Sequence, residues 1–202
     1  MSQKKLTILS RTTIGLLGGS FDPPHKGHVH ITNQALKAFG LNKIWWLVSP
    51  RNPLKSENPA SIAKRIMECK KIINHPKVLV SDIETRLKTR FTADTLKKLY
   101  QLYPNIRFIW LMGADNLGNF HQWEDWTWIM ENIPVGIMAR PGEQVKAGLS
   151  LAATRYKKFR IHASTAASLP FRHAPAWSLL GGPMRAVSST QIRSRGLWNQ
   201  EC

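Results

Sequence analysis

The sequence predicts an α/β protein, a mostly parallel, doubly wound sheet with helices on both faces. Two observations point there. Apolar runs of strand length alternate with segments whose apolar residues recur at helical spacing, and the first such run empties into a glycine-led loop that opens a helix. A third bounds the answer: 202 residues with 43% hydrophobic content suffice for one sizeable core, and no linker-like stretch or internal repeat divides them. One domain over residues 1–202 is expected, with 1–12 as a flexible N-terminal extension.

The apolar run 13–17 stops at Gly18 and Gly19, as a buried strand entering a loop would. Residues 28–39 read as a helix, with Ile31, Ala35, Ala38 and Phe39 on one stripe and Gly40 as its stop. The run 44–48 then completes a βαβ unit. Ile62, Ile66, Cys69 and Ile73 mark a second helix and 78–80 a short strand. Ala93, Leu96, Leu99 and Tyr100 mark a third helix, with Thr92 placed to cap it. Residues 106–112 form a strongly apolar strand that breaks at Gly113, where Asp115 and Asn116 begin a loop. A short helix over 123–130 and a strand over 134–139 follow. Residues 144–185 show no clear pattern beyond a helix near 149–156 and short strands at 159–161 and 177–180. Sheets of this Rossmann-like kind bind ligands at the carboxyl ends of their strands.

The formal net charge is +17, from 29 Lys and Arg against 12 Asp and Glu. Such a field suits phosphate-bearing partners, either nucleotides drawn into a site or a nucleic-acid surface, and equally an ordinary solvated surface in a generally basic proteome. Helix-turn-helix, zinc-finger and RNA-binding aromatic patterns are absent, so a nucleic-acid partner is disfavoured. No apolar run is long enough to span a bilayer or to form a signal-peptide core. With two cysteines, Cys69 and Cys202, a reducing cytoplasmic setting is expected.

Residues 18–28 read GGSFDPPHKGH. Gly18 and Gly19 let backbone N–H groups approach a phosphate, with Ser20 and Phe21 following in the same loop, and a helix N-terminus adds its unpaired N–H groups and positive end. His25 and His28, three apart, project from nearly one face of a first turn and can meet one anion. The string is neither a Walker A loop nor a GxGxxG fingerprint. Near the other end, Ser188, Ser189 and Thr190 precede Gln191, Ile192 and Arg193. A serine there can cap a helix whose N–H groups face a phosphate, and Arg193 offers a planar charged fork.

These two segments resemble the GxFDPxHxGH and SSTxIR signatures of the nucleotidyltransferase superfamily with the HxGH motif. Within it, the chain resembles the bacterial nicotinate-nucleotide adenylyltransferases from about residue 13 to 196. The intermediate landmarks are the loop at 49–55, Glu84-Thr85-Arg86, the segment 91–96, the loop 113–117 with Phe120 and Trp123 beyond it, and Arg140-Pro141-Gly142. The resemblance implies that His25, His28 and Arg193 act on the phosphates of ATP, held also by residues 18–21 and 188–190. It further implies that Asn52, Thr92 and Trp123 bind nicotinate mononucleotide, Trp123 by stacking on the pyridine ring, with Lys55 meeting its phosphate and Asp115 contacting a ribose or placing Mg²⁺. A nicotinamide mononucleotide or phosphopantetheine acceptor is the alternative, a basic nucleic-acid-binding protein the more distant one, and a homo-oligomer stays open.

Overall fold

The computed structural model describes residues 12–50, 58–139, 144–181 and 188–198. Its centre is one sheet of seven strands: β1 (Thr13–Gly19), β2 (Lys43–Val48), β3 (Val78–Ser81), β4 (Arg107–Gly113), β5 (Val135–Met138), β6 (Arg160–Ile161) and β7 (Trp177–Leu180). The order across the sheet is β3-β2-β1-β4-β5-β7-β6, and every neighbouring pair is parallel. Connections leave β1 in one direction toward β2 and β3, and in the other toward β4 and β5. The carboxyl ends of β1 and β4 therefore flank the switch point where such folds open a crevice.

The strands are apolar because both faces are covered. Phe108, Trp110 and Met112 of β4 enter one core layer, with Leu96, Leu99 and Ile137, whereas Ile109 and Leu111 enter the other, with Ala35, Phe39 and Trp46. Helix α1 (Lys26–Ala38) starts two residues earlier than the apolar spacing suggests, since its cap is His25. Helix α2 (Ile62–Ile72) is capped by Ser61, whose hydroxyl accepts from the Lys64 N–H. A single turn, α3 (Ile83–Arg86), precedes α4 (Thr92–Leu102).

Several expectations need correction. Thr92 is the first residue of α4 rather than its cap; Phe91 holds that place and no side chain closes the turn. Asp115 and Asn116 lie in a helix, α5 (Ala114–Asn119), that follows β4 without an intervening loop. The expected helix at 123–130 is displaced to α6 (Trp126–Asn132), because Asp125 takes a left-handed conformation (φ 51°) ahead of it. Two short helices, α7 (Gln144–Gly148) and α8 (Leu151–Arg155), replace the one near 149–156. A 3₁₀ segment, Ala163–Phe171, fills what showed no pattern. The last helix, α9 (Ser189–Ser194), closes the described fold. Among the described residues, no helix is long and apolar enough to cross a membrane.

Candidate active site

Gly18 and Gly19 end β1 beside β4, and close approach explains the first of them. A Cβ on Gly18 would lie 2.3 Å from Cη2 of Trp110, so only glycine lets the strand pass the indole. The loop then turns at Phe21, which adopts φ 48°, a conformation seldom taken by a bulky residue and one that concentrates at functional sites. Its buried ring stacks on Trp46 at a centroid separation of 4.9 Å and touches His28 at 4.7 Å. Trp46 is itself anchored by donating to the Thr32 hydroxyl at 2.7 Å. The loop is thus nailed to the core by an aromatic side chain.

His25 and His28 form a reciprocal cap on α1. The Gly27 N–H donates to Nδ1 of His25, and the His25 N–H donates to Nδ1 of His28, both at 3.1 Å. The rings lie 3.9 Å apart. A ring nitrogen that accepts carries no proton, so in this geometry each neutral imidazole holds its proton on Nε2. This is a capping box made from histidines, and it gives both rings the same donor orientation.

A residue without an expected role organises the loop. Arg65 of α2 is 1% exposed, and its guanidinium donates to four backbone carbonyls: Ala60 (2.7 Å), Ser20 (2.6 Å), Ser49 (2.7 Å) and Pro50 (3.2 Å). It ties the loop after β1 to the loop after β2. Burial lowers its pKa from the ordinary value, and the nearby charge of Asp22 opposes that shift. The only sequence signal is a charged residue four before Cys69 on the buried stripe of the helix.

From the far end of the sequence, α9 lands on the same loop. Ser188 caps it by accepting from the Gln191 N–H at 3.2 Å. The Ser189 hydroxyl donates to the Pro23 carbonyl at 2.9 Å, and Arg193 donates to the Asp22 carbonyl at 2.5 Å. The Asp22 carboxylate lies 4.0 Å from Arg193 and accepts from the Trp198 indole N–H at 2.7 Å.

These elements enclose a cavity of about 540 Å³. Residues 18–21, His25, His28, Ser188, Ser189 and Thr190 line one part of it; Glu84, Thr92, Asp115 and Trp123 also line it. Arg193 stands behind the loop, bound to Asp22, rather than in the lining. Trp123 is half-buried, edge-on to Phe120 at 5.2 Å and to Trp110 at 6.2 Å, so the core alone does not claim it. Asp115 is exposed, whereas Glu84 is 7% exposed and burial pushes its carboxyl up to about 7. Asn52 and Lys55, with the segment at 140–142, lie outside the described residues.

A family model described as cytidylyltransferase-like matches residues 16–195. A protein of Ruegeria sp. (strain TM1040) named "probable nicotinate-nucleotide adenylyltransferase" is 55% identical over 186 residues, covering 92% of this chain and 98% of its own. One of that name from Parvibaculum lavamentivorans is 49% identical over 187 residues, covering 92% and 93%. Among solved structures, the fold is similar to Plasmodium falciparum nicotinic acid mononucleotide adenylyltransferase complexed with NaAD. That match has a TM-score of 0.71 at 20% identity and covers 91% of this chain and 83% of that one. With its two signature segments on one cavity and this likeness over nearly its whole length, the chain belongs to the nicotinate-nucleotide adenylyltransferases, within the cytidylyltransferase-like family.

Proposed function

We propose that the protein joins nicotinate mononucleotide to the adenylyl group of ATP. An oxygen of the mononucleotide 5′-phosphate bonds to the α-phosphorus of ATP while the bond from that phosphorus to the β-phosphate bridging oxygen breaks. The products are nicotinate adenine dinucleotide and pyrophosphate. The observation that carries this reading is the meeting of the loop 18–28 and the turn 188–190 on one cavity that also contains Thr92 and Trp123.

The attacking phosphate is already ionised near neutral pH, so no general base is required. Positioning and charge stabilisation carry the rate. His25 and His28 donate from Nε2 to oxygens of the reacting phosphates, an orientation supported by the backbone N–H groups that occupy both Nδ1 atoms. Gly19, Ser20 and Phe21 offer backbone N–H groups, and Ser188, Ser189 and Thr190 contribute the start of α9 to the β- and γ-phosphates. Arg193 fixes the loop through Asp22 and adds its positive charge behind the phosphates. Asp115, exposed and lining the cavity, would hold a Mg²⁺, which when bound would supply positive charge for the leaving pyrophosphate. Trp123 stacks on the pyridine ring, and Thr92, at the start of α4, meets its substituent. Asn52 and Lys55 belong to the same acceptor site by family resemblance.

The deciding experiment incubates the protein with ATP, Mg²⁺ and either nicotinate or nicotinamide mononucleotide and measures pyrophosphate release. Release chiefly with the nicotinate form is expected. Silence with both overturns the reading, and preference for the amide reassigns the acceptor.

A further inference from the structure

Among the described residues three carboxylates line the cavity, Glu84, Asp115 and Glu124, and of these only Glu84 is buried. It sits on α3, at the end of β3, with 7% of its surface exposed. Among the described residues no hydrogen bond or ion pair reaches its carboxyl, although its backbone carbonyl accepts from Thr89. The charged and titratable groups around it are otherwise engaged or solvated. On its own turn Arg86 pairs with Asp82 at 3.0 Å. Arg90 is exposed and lies over the Phe91 ring, and Asp115 and Glu124 are exposed. His25 and His28 are locked into the cap of α1.

A carboxyl taken from water without a partner resists ionisation, and burial alone raises this one to about 7. An arriving cation reverses that balance. The half-buried indole of Trp123, lining the same cavity, also attracts a cation to its face. A ring attached to ribose through a quaternary pyridinium nitrogen carries a permanent positive charge, whichever substituent it bears.

We propose that Glu84 is a specificity-determining residue whose ionised carboxylate selects a pyridinium mononucleotide over an acceptor with an uncharged head group. The inference rests on the acceptor site read above and adds a residue and a criterion to it. Binding of the cation drives a proton off Glu84. Proton release on binding is therefore greatest below neutrality, whereas the affinity itself is greatest above it.

The test compares binding of nicotinate mononucleotide with binding of its analogue in which a benzene carbon replaces the ring nitrogen. Calorimetry is run between about pH 6 and pH 8, bracketing the carboxyl, on the wild type and on Glu84→Gln and Glu84→Asp. At the upper pH the wild type should bind the pyridinium form on the order of ten-fold more tightly than the neutral form, the size expected of one charge-assisted contact. That ratio should shrink as pH falls. In Glu84→Gln it should approach unity and stop varying, with ATP affinity retained as evidence of an intact fold; Glu84→Asp should keep part of it. The same ratio and pH profile in the wild type and Glu84→Gln overturn the proposal, as does a wild-type preference that grows on acidification or failure to bind either ligand. Pyrophosphate release by the wild type tests the reaction separately, so the loss of one conclusion is distinguishable from the loss of the other.

Discussion

The guanidinium of Arg65 donates at 2.6 Å to the carbonyl of Ser20, across 45 positions of sequence, and thereby holds the backbone of the loop after β1. Replacing Arg65 with Ala strands four carbonyls at once, that of Ala60 fully buried and three of the four at 2.7 Å or less from the lost donors. Arg65→Ala is expected to cost on the order of 3 kcal/mol or more in unfolding free energy, by the cost of losing charged hydrogen bonds. Arg65→Lys keeps the charge but not the planar fork, so it should recover only part of that loss. Denaturant titration with ATP KM measured in parallel checks both.

The histidine cap separates folding from chemistry. His25→Ala should lower stability by about 1 kcal/mol as a lost helix cap, and lower kcat by at least about a hundred-fold as a lost phosphate donor. His25→Asn can accept the same N–H from its short amide. Thermal melting should show the stability restored and turnover still absent; recovered turnover would remove His25 from the chemistry.

At Gly18 the limiting neighbour is an indole. Gly18→Ala places a methyl 2.3 Å from the Trp110 ring as it now stands, so overpacking should cost about 1 to 3 kcal/mol and displace the loop. Paired measurements of Tm and ATP KM should worsen together. Combining it with Trp110→Phe should recover part of both.

Trp123→Ala should raise KM for the mononucleotide by about ten-fold, the worth of a stacked aromatic contact of about 1 kcal/mol or slightly more. ATP KM should change little. Trp123→Phe should restore most of the loss, and an unchanged mononucleotide KM would return the residue to the core cluster of Phe120 and Trp110.

Glu84 makes stability depend on pH in a stated direction. Its carboxyl is raised from 4.5 to about 7 in the folded protein, so between those values the native state binds more protons than the unfolded one and stability falls as pH rises. The contribution is complete below the lower value and lost above the upper one, on the order of 3 kcal/mol at most. Glu84→Gln should therefore be more stable than the wild type above about pH 7, with the difference fading on acidification. Unfolding curves at several pH values, without ligand, measure it.

The strands were legible because each is an apolar run covered on both faces, as in the alternation of Phe108, Trp110 and Met112 with Ile109 and Leu111. The start of α1 was less so, since histidine lies outside the usual capping residues and spacing alone places the helix too late. Asp125 in a left-handed conformation interrupts what periodicity joins, moving α6 past Trp123. The 3₁₀ segment Ala163–Phe171 has no helical period to detect, and the insertion of β7 between β5 and β6 is a non-local pairing. Of the site, the two phosphate segments were readable as strings. Arg65 was not, and Glu84 was readable only as a landmark without a role, because the meaning of both lies in burial: one guanidinium among carbonyls, one carboxyl facing a cavity.

The bonds from Ser189 to Pro23, Arg193 to Asp22 and Trp198 to Asp22 span 166, 171 and 176 positions. During synthesis the loop leaves the ribosome early, and the Ser189, Arg193 and Trp198 donors reach it only after the whole sheet has been made. A nascent chain stopped between β7 and α9 holds all seven strands and still lacks these contacts. A chain shortened before Ser188 is therefore expected to lose activity outright rather than by degrees, because it lacks all three contacts at once.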